Sequence, residues 1–327
     1  MLASRSGRFD PCLEVGARRP SAETGCSVHA CASPFYSVTL PARHPFPMAK
    51  YRLVRERLLC EGTLSPRCLI QPARAPVDLL GLVHSQDYLN RLLSGQLTRQ
   101  EEVRTGFPWS PAIVARARHA AHGTLMAARI ALREGLAANL AGGSHHAFPD
   151  HGEGYCLLND VAVAIRALQA EGRIRRAAIL DTDAHQGNGT ASIFAGDPTV
   201  FTFSIHGARN YPFQKVPGSW DEALPDGTGD AAYLHRLEVP LRAAAAFAPD
   251  IAFYVSGADP YQGDRLGRLG LTREGLARRD NLVLSRCLRV GIPVVVTLAG
   301  GYATALEETV EIHCTTIRTA ARLLREA

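Results

Sequence analysis

Residues 179–185 form an apolar run that ends in alternating polar residues. In an extended chain, Asp181, Asp183 and His185 project from one face, with neighbouring members about 6.6 Å apart at Cα. Two carboxylates and an imidazole at this spacing are typical of metal ligation, and two of the three can share one ion. The outer pair is about 13 Å apart, so Asp181 and His185 are both ligands only if the chain bends sharply. Asp183 is a predicted ligand in either pairing. The plainer interpretation of the whole motif is structural: an aspartate at the end of the strand caps the next helix, and His185 packs beside it.

A further carboxylate that could join this set is Asp259, which follows another apolar run. With Asp183 and His185 it would form an Asp/His/Asp set that leaves coordination positions open, as a catalytic divalent cation requires. Zinc suits such mixed nitrogen and oxygen ligands, and Fe²⁺ is the alternative. Read alone, Asp259 is a turn residue before Pro260.

Two adjacent imidazoles and a phenol also follow apolar runs, each after a pair of glycines. One of His145 and His146 could act as a general base, and the other could hold positive charge against a developing oxyanion. Asp181, if it is not a ligand, could orient one of these rings through its N–H. Tyr302 could donate its phenol proton to a polarised carbonyl oxygen. As isolated motifs, a His-His pair and a Gly-Gly-Tyr turn are more often structural.

Short apolar runs alternate with helical stretches, which predicts an α/β fold: a single domain with a mainly parallel central sheet flanked by helices on both faces. Open sheets of this kind place ligand sites beyond the carboxyl ends of their strands, where these polar residues fall. The predicted strands are 35–39, 139–141, 177–181, 200–205, 251–256 and 293–298. Predicted helices begin after Ser110, near Asn159-Asp160 and after Thr272, and a last one spans 303–325; residues 207–230 read as a long irregular loop.

Composition narrows the class of protein. The 36 basic residues are 34 arginines with Lys50 and Lys215, spread along the chain, so nucleic-acid binding is not predicted. No apolar run approaches the 18 residues of a membrane span. The eight cysteines form no C-x-x-C pair, which predicts reduced thiols and a cytoplasmic location. Residues 1–33 mix acids and arginines without an apolar signal region, so we expect a disordered extension followed by one domain over 34–327. The oligomeric state stays open.

Five ordered motifs resemble the histone deacetylase family, and the resemblance covers nearly everything from Pro34 onward. They are Gly-Gly-Ser-His-His-Ala at 142–147, Gly-Tyr-Cys-Leu-Leu-Asn-Asp at 154–160, Asp-Thr-Asp-Ala-His-Gln-Gly-Asn-Gly-Thr at 181–190, Gly-Thr-Gly-Asp at 227–230 and Leu-Ala-Gly-Gly-Tyr at 298–302. Within the family, residues 44–51 and 263–267 look most like class IV enzymes and their bacterial relatives, the histone deacetylase-like amidohydrolases.

The resemblance implies an arginase/deacetylase fold and a zinc-dependent amidohydrolase that removes acetyl or longer acyl groups from lysine side chains. It implies Asp183, His185 and Asp259 on zinc, His146 as general base and acid, His145 as electrostatic partner backed by Asp181, and Tyr302 as oxyanion donor. It also implies a substrate channel that includes Gly154, Tyr155, Leu224, Gly300 and Gly301. A structural potassium ion bound through Asp181, Asp183, His185, Ser204 and Ile205 is a further family expectation.

The chain departs from class I members of the family at two places. Asn188 stands where they have an aspartate, so the second histidine gains a neutral hydrogen-bond partner and less support for its charged form. The segment at 223–226, which includes Leu224, replaces an aromatic channel wall with different spacing, so the acyl preference is not defined.

Other functions remain as alternatives. The substrate could be a small acetylated amine such as an acetylpolyamine. An arginase-type ureohydrolase would need further carboxylates for two manganese ions, and only Asp259 ends the relevant strand. Dinucleotide binding at 187–192 lacks the third glycine of its motif, and Asp181 and Asp183 would repel a pyrophosphate. A non-catalytic binding module would be expected to have lost some of these ligands.

Overall fold

The protein is built around one sheet of eight strands, seen in a computed structural model that describes residues 26–326. The strands are β1 (His29–Cys31), β2 (Leu69–Ile70), β3 (Leu136–Asn139), β4 (Ala177–Asp181), β5 (Val200–Gly207), β6 (Trp220–Leu224), β7 (Ile251–Val255) and β8 (Val294–Thr297). The helices are α1 (Lys50–Cys60), α2 (Val77–Leu80), α3 (Gln86–Ser94), α4 (Arg99–Thr105), α5 (Pro111–Glu134), α6 (Asp160–Ala170), α7 (Asn188–Ile193), α8 (Asp230–Ala246), α9 (Arg273–Arg289) and α10 (Leu306–Glu326).

The strands lie in the order β2-β1-β3-β8-β7-β4-β5-β6, and every pairing among them is parallel. Side chains alternate between the two faces of each strand. In β4, Leu180 joins the core beneath α1, α8, α9 and α10, whereas Ile179 joins the core beneath α5 and α6. Both faces are therefore covered by helices, which confirms the predicted α/β fold with its mainly parallel sheet.

The predicted helix starts at α5, α6 and α9 are confirmed, and each begins at a polar cap. The side chain of Ser110 accepts a hydrogen bond from the backbone N–H of Ile113 before α5. Asn159 and Thr272 cap α6 and α9 in the same way. These side chains satisfy backbone N–H groups that have no partner inside the helix.

The first predicted strand, 35–39, is wrong, since a short 3-10 helix occupies Pro34–Tyr36. Ser33 accepts a hydrogen bond from the N–H of Phe35, and the fixed φ of proline suits a first helical position. The first strand is instead β1, at 29–31, which lies inside the predicted extension and pairs with both β2 and β3. The folded domain therefore begins before residue 34. The remainder of that extension, residues 1–25, lies outside the described residues.

Two further expectations are corrected at the edges of the sheet. The predicted loop at 207–230 contains strand β6, which pairs with β5. The thiols are not all reduced, because Cys26 and Cys68 form a disulfide with their Cα atoms 5.4 Å apart. The two cysteines are 42 residues apart in sequence, but they stand just before the neighbouring parallel strands β1 and β2. That adjacency depends on strand pairing, which the spacing of the cysteines did not reveal.

Strands β3, β8, β7 and β4 are consecutive at the centre of the sheet, and the loops that leave their carboxyl ends meet at one edge. The predicted metal ligands, the two histidines and Tyr302 follow these four strands. Across residues 26–326, none of the helices combines the length and apolarity of a bilayer-spanning segment.

Candidate active site

The Asp/His/Asp set is assembled from two neighbouring strands. Asp183 and His185 follow β4, Asp259 follows β7, and the two strands pair in parallel so that their ends coincide. One ligand atom from each residue lies within 4.8 Å of the others, and all three residues are buried. Asp181 is not in this set, so the structure pairs Asp183 with His185. Within residues 26–326 this is the one cluster of three His, Cys, Asp or Glu side chains close enough to share an ion.

The charge of this cluster favours a cation. Burial, and then the nearby charge of Asp183, raise the pKa of Asp259 to about 7. Burial alone would lower the pKa of His185, but hydrogen bonds to Asp183 and Asp259 hold it well above its usual value. The Nδ1 atom of His185 lies 3.0 Å from Asp183 Oδ1 and 3.1 Å from Asp259 Oδ2. Two carboxylates and an imidazole facing a cavity fit a divalent cation such as zinc.

Gly300 lies in direct contact with the carboxylates of Asp183 and Asp259. Its backbone N–H donates to Asp183 Oδ2 at 2.8 Å, and a Cβ atom at this position would clash with Asp259 Oδ2. A glycine is therefore required where the β8 loop crosses the ligand cluster. The neighbouring Gly301 does not line the cavity, because it faces Ala258 and Thr309 behind the site.

His145 is paired with a carboxylate. Its Nδ1–H donates to Asp181 Oδ2 at 2.6 Å, and both side chains are almost fully buried. Burial works against the charged ring, but the charge and hydrogen bond of Asp181, with the charge of Asp183, raise the pKa of His145 to about 9. This imidazole is a cation at neutral pH.

His146 is paired with an amide. Its Nδ1–H donates to Asn188 Oδ1 at 2.7 Å. Burial, followed by the charges of His145 and His185, lowers its pKa well below the usual 6.5. The ring is neutral at pH 7, and the hydrogen bond at Nδ1 leaves the lone pair on Nε2, the arrangement that a general base requires.

Tyr302 stands beside the ligand cluster and lines the same cavity as His146 and His185. Its ring packs near those of Tyr155 and Phe46, with centroids 5.8 and 6.0 Å away. Burial, and then the charges of Asp259 and Asp183, raise the pKa of Tyr302 well above 10. The phenol therefore keeps its proton and remains a hydrogen-bond donor.

A cavity of about 350 Å³ leads from these groups to the surface. Gly154 and Tyr155, which the family resemblance assigns to a substrate channel, line this cavity. Leu224 does not, because it is buried in the core at the end of β6. Tyr211 also lines the cavity, and its ring lies edge-on to His146 with centroids 5.1 Å apart.

Three arginines and one exposed aromatic surround the mouth of this cavity. They are Arg104, Arg209, Arg268 and Phe213, and Phe213 is 86% exposed. Asp226 partly neutralises the arginines, with its Oδ2 atom 2.9 Å from Arg209 and 3.6 Å from Arg268. Arg104 lies in α4 and the others lie in loops, and none belongs to a recognisable motif, so sequence reasoning missed them.

Sequence reasoning also missed Glu153, which stands behind Asn188. The Nδ2 group of Asn188 donates to Glu153 Oε1 at 2.8 Å. The expected potassium site stays a prediction. Two of its expected residues are neighbours, because the pairing of β4 with β5 places Ser204 directly opposite Asp181.

Comparison with known proteins agrees with this arrangement. The family model of the histone deacetylase domain matches residues 44–317. The chain is 45% identical over 284 residues to an uncharacterized protein of Picosynechococcus sp., covering 86% of this chain and 94% of that protein. It is 33% identical over 270 residues to histone deacetylase 2 of Arabidopsis thaliana, covering 79% and 70%. The crystal structure of the HDA15 HD domain superposes with a TM-score of 0.76 at 26% identity, covering 92% and 88%. The chain therefore belongs to the histone deacetylase family and has the fold of its deacetylase hydrolases.

Proposed function

We propose that this protein is a metal-dependent amidohydrolase that removes acetyl or longer acyl groups from lysine side chains. The observation that carries the proposal is the buried Asp183, His185 and Asp259 cluster at the floor of a cavity that His146 and Tyr302 also line. Zinc is the cation that this ligand set suits best, and Fe²⁺ is the alternative.

A divalent cation held by these three residues would supply Lewis acidity toward an amide carbonyl and toward water. The neutral His146 accepts the proton of the attacking water at Nε2 and returns it to the leaving amine, so that acyl-lysine and water become a carboxylate and lysine. The phenol of Tyr302 donates a hydrogen bond to the oxyanion that develops at the carbonyl carbon. The imidazolium of His145, held by Asp181, offsets the developing negative charge.

The cavity supports an acyl-lysine in a peptide over a free acetylpolyamine. The aromatic rings of Tyr155 and Tyr211 both line it and suit an aliphatic lysine stem. The arginines at the mouth repel a ligand that carries several positive charges, since like charges at this range are disfavoured. We expect kcat/KM for a neutral acetyl-lysine peptide to exceed that for an acetylpolyamine by about tenfold or more.

The test is an acyl-release assay on zinc-loaded protein with three substrate groups: acetyl-lysine peptides, longer acyl-lysine peptides and acetylpolyamines. Tyr302→Phe should lower turnover by about 100-fold or more, because the oxyanion loses its donor, while the bound metal is unchanged. Asp259→Ala should lose both metal and activity. The proposal would be overturned if the wild-type protein released no more acyl group than Tyr302→Phe from any of the three substrate groups. It would also be overturned if Asp259→Ala hydrolysed these substrates at the wild-type rate.

A further inference from the structure

Glu153 occupies the loop that runs from the two histidines to α6, and its carboxylate is mostly buried, with 16% of the side chain exposed. Its Oε1 atom accepts from Asn188 Nδ2 at 2.8 Å, and Asn188 Oδ1 accepts from His146 Nδ1–H at 2.7 Å. The three side chains thus form a continuous hydrogen-bonded series that ends at the proton-transfer residue.

The amide of Asn188 has two ends that are nearly equal in size, and either could face the imidazole. An ionised carboxylate only accepts hydrogen bonds, so Glu153 can face only the NH₂ end. That choice leaves Oδ1 toward His146, where it accepts only from a protonated Nδ1. A reversed amide would direct NH₂ at the ring and would favour the tautomer with its proton on Nε2, which cannot accept a proton from water.

Other groups keep Glu153 ionised and in place. Burial alone would raise its pKa, but hydrogen bonds from His151, Tyr211 and Asn188 lower it to about 2. Gly154 lets this loop lie against the ring, since a Cβ atom there would stand 2.6 Å from His146 Cδ2. The carboxylate also links the base to the cavity wall, because Tyr211 contacts both Glu153 and the His146 ring.

We propose that Glu153 is a positioning residue that fixes the amide orientation of Asn188 and thereby holds His146 in the Nδ1–H tautomer, with its Nε2 lone pair directed into the cavity. The inference rests on the proposed function, in which His146 transfers the proton. The sequence alone presents His146 with Asn188 as its neutral partner. The proposal adds the carboxylate of Glu153 to this pair.

Three variants test the proposal. Glu153→Ala removes the acceptor, and kcat should fall by about tenfold with KM within twofold, as expected when the group that orients a functional imidazole is lost. Glu153→Gln retains an acceptor oxygen and should restore kcat to within about threefold of the wild type. Asp150→Ala is the matched control, because it removes an exposed carboxylate from the same loop that bonds His151 instead of Asn188.

A spectroscopic measurement separates positioning from folding. Nitrogen-15 NMR of histidine-labelled protein should show His146, assigned by the loss of its signals in His146→Ala, as one Nδ1–H tautomer in the wild type and as a mixture in Glu153→Ala. Melting temperatures show whether Glu153→Ala has a folding defect. If it has one, the test depends on Glu153→Gln, and a tenfold loss of kcat in that variant contradicts the proposal.

The proposal is also overturned if Glu153→Ala keeps wild-type kcat, if its tautomer is unchanged, or if Asp150→Ala has the same effect. If the wild type releases no acyl group, the proposed function fails, but the tautomer measurement still tests the role of Glu153.

Discussion

His145 and His146 are adjacent in sequence, their ring centroids are 4.1 Å apart and each is 5% exposed, but their electrostatic states are opposite. Burial lowers the pKa of both rings. The carboxylate of Asp181 reverses that effect and raises the pKa of His145 to about 9, whereas the amide of Asn188 does not, and the pKa of His146 stays well below 6.5. At equal burial, the hydrogen-bond partner and the neighbouring charges therefore decide which imidazole carries charge.

The difference suits the two rings to the different tasks proposed for them. A ring that is a cation at neutral pH cannot accept a proton from water, and a neutral ring contributes little to stabilising an anion. Glu153 stands one amide farther from His146 than Asp181 stands from His145. Its distance lets it orient the ring through Asn188 without contacting the imidazole.

The largest expected effect separates the two rings directly. His146→Ala should lower kcat by about 100-fold or more, since general-base catalysis contributes about 10²- to 10⁴-fold. His145→Ala should cost less, about tenfold, because a charge near the oxyanion is lost but proton transfer remains. Single-turnover rates on one acetyl-lysine peptide, with metal content measured in parallel, make the comparison. Equal losses in the two variants would contradict the division of roles.

Asp181→Asn should lower kcat at pH 8 by about tenfold to 100-fold, because His145 loses the carboxylate that keeps it charged. The pKa of His145 should then fall toward or below its usual value, so the lost activity should return in part as the pH is lowered from 9 to 7. A rate profile across this range checks the prediction. A uniform loss at every pH would indicate a structural defect instead.

Asn188→Asp gives the second histidine the same kind of partner as the first. A carboxylate at this position should raise the pKa of His146, so the ring becomes protonated at mildly acidic pH. The acid limb of kcat/KM should move upward, with a several-fold loss at pH 6 and a change within about threefold at pH 8.

The new carboxylate would face Glu153, so the double variant Asn188→Asp with Glu153→Gln is the control that removes the like charge. It should show the larger upward shift of the two. An acid limb that stays at its wild-type position in both would show that the partner does not set the charge of His146.

The smallest expected effect is that of Tyr211→Phe. The hydroxyl contributes one hydrogen bond to Glu153, and a bond of this kind is worth about 0.5–1.5 kcal/mol, so kcat should fall about two- to tenfold. Steady-state kinetics with the peptide used for His146→Ala would measure it. An unchanged kcat would show that Tyr211 does not help to position His146, which would then depend on Asn188 and Glu153 alone.

Sequence reasoning succeeded where local pattern and motif coincide. The strand at 177–181 and the helix starts at Ser110, Asn159 and Thr272 were predicted because each depends on its nearest neighbours in the chain. The pairing of Asp183 with His185 stayed open on spacing alone, since it depends on how the chain bends after β4.

It failed where contacts depend on the fold. Glu153 and Tyr211 are 58 positions apart and carry no motif, but in the folded chain Tyr211 contacts His146 and Glu153 is linked to it through Asn188. Leu224 was assigned to the channel from its place before a glycine motif, whereas the alternation of β6 directs it into the core. Residues 35–39 have strand-forming composition, and Ser33 and Pro34 override it.

The loops that follow the central strands β3, β8, β7 and β4 are distinct from the connection between β5 and β6 at the edge of the sheet. In the proposed mechanism, the reaction chemistry depends on loops from these four strands, whereas Tyr211 and Phe213 belong to the connection between β5 and β6 at one edge of the sheet. An exchange of residues 208–219 with the corresponding loop of a relative would thus alter which molecules are admitted while leaving bond cleavage to the same side chains. Selectivity in this architecture can diversify at the periphery without rebuilding the centre.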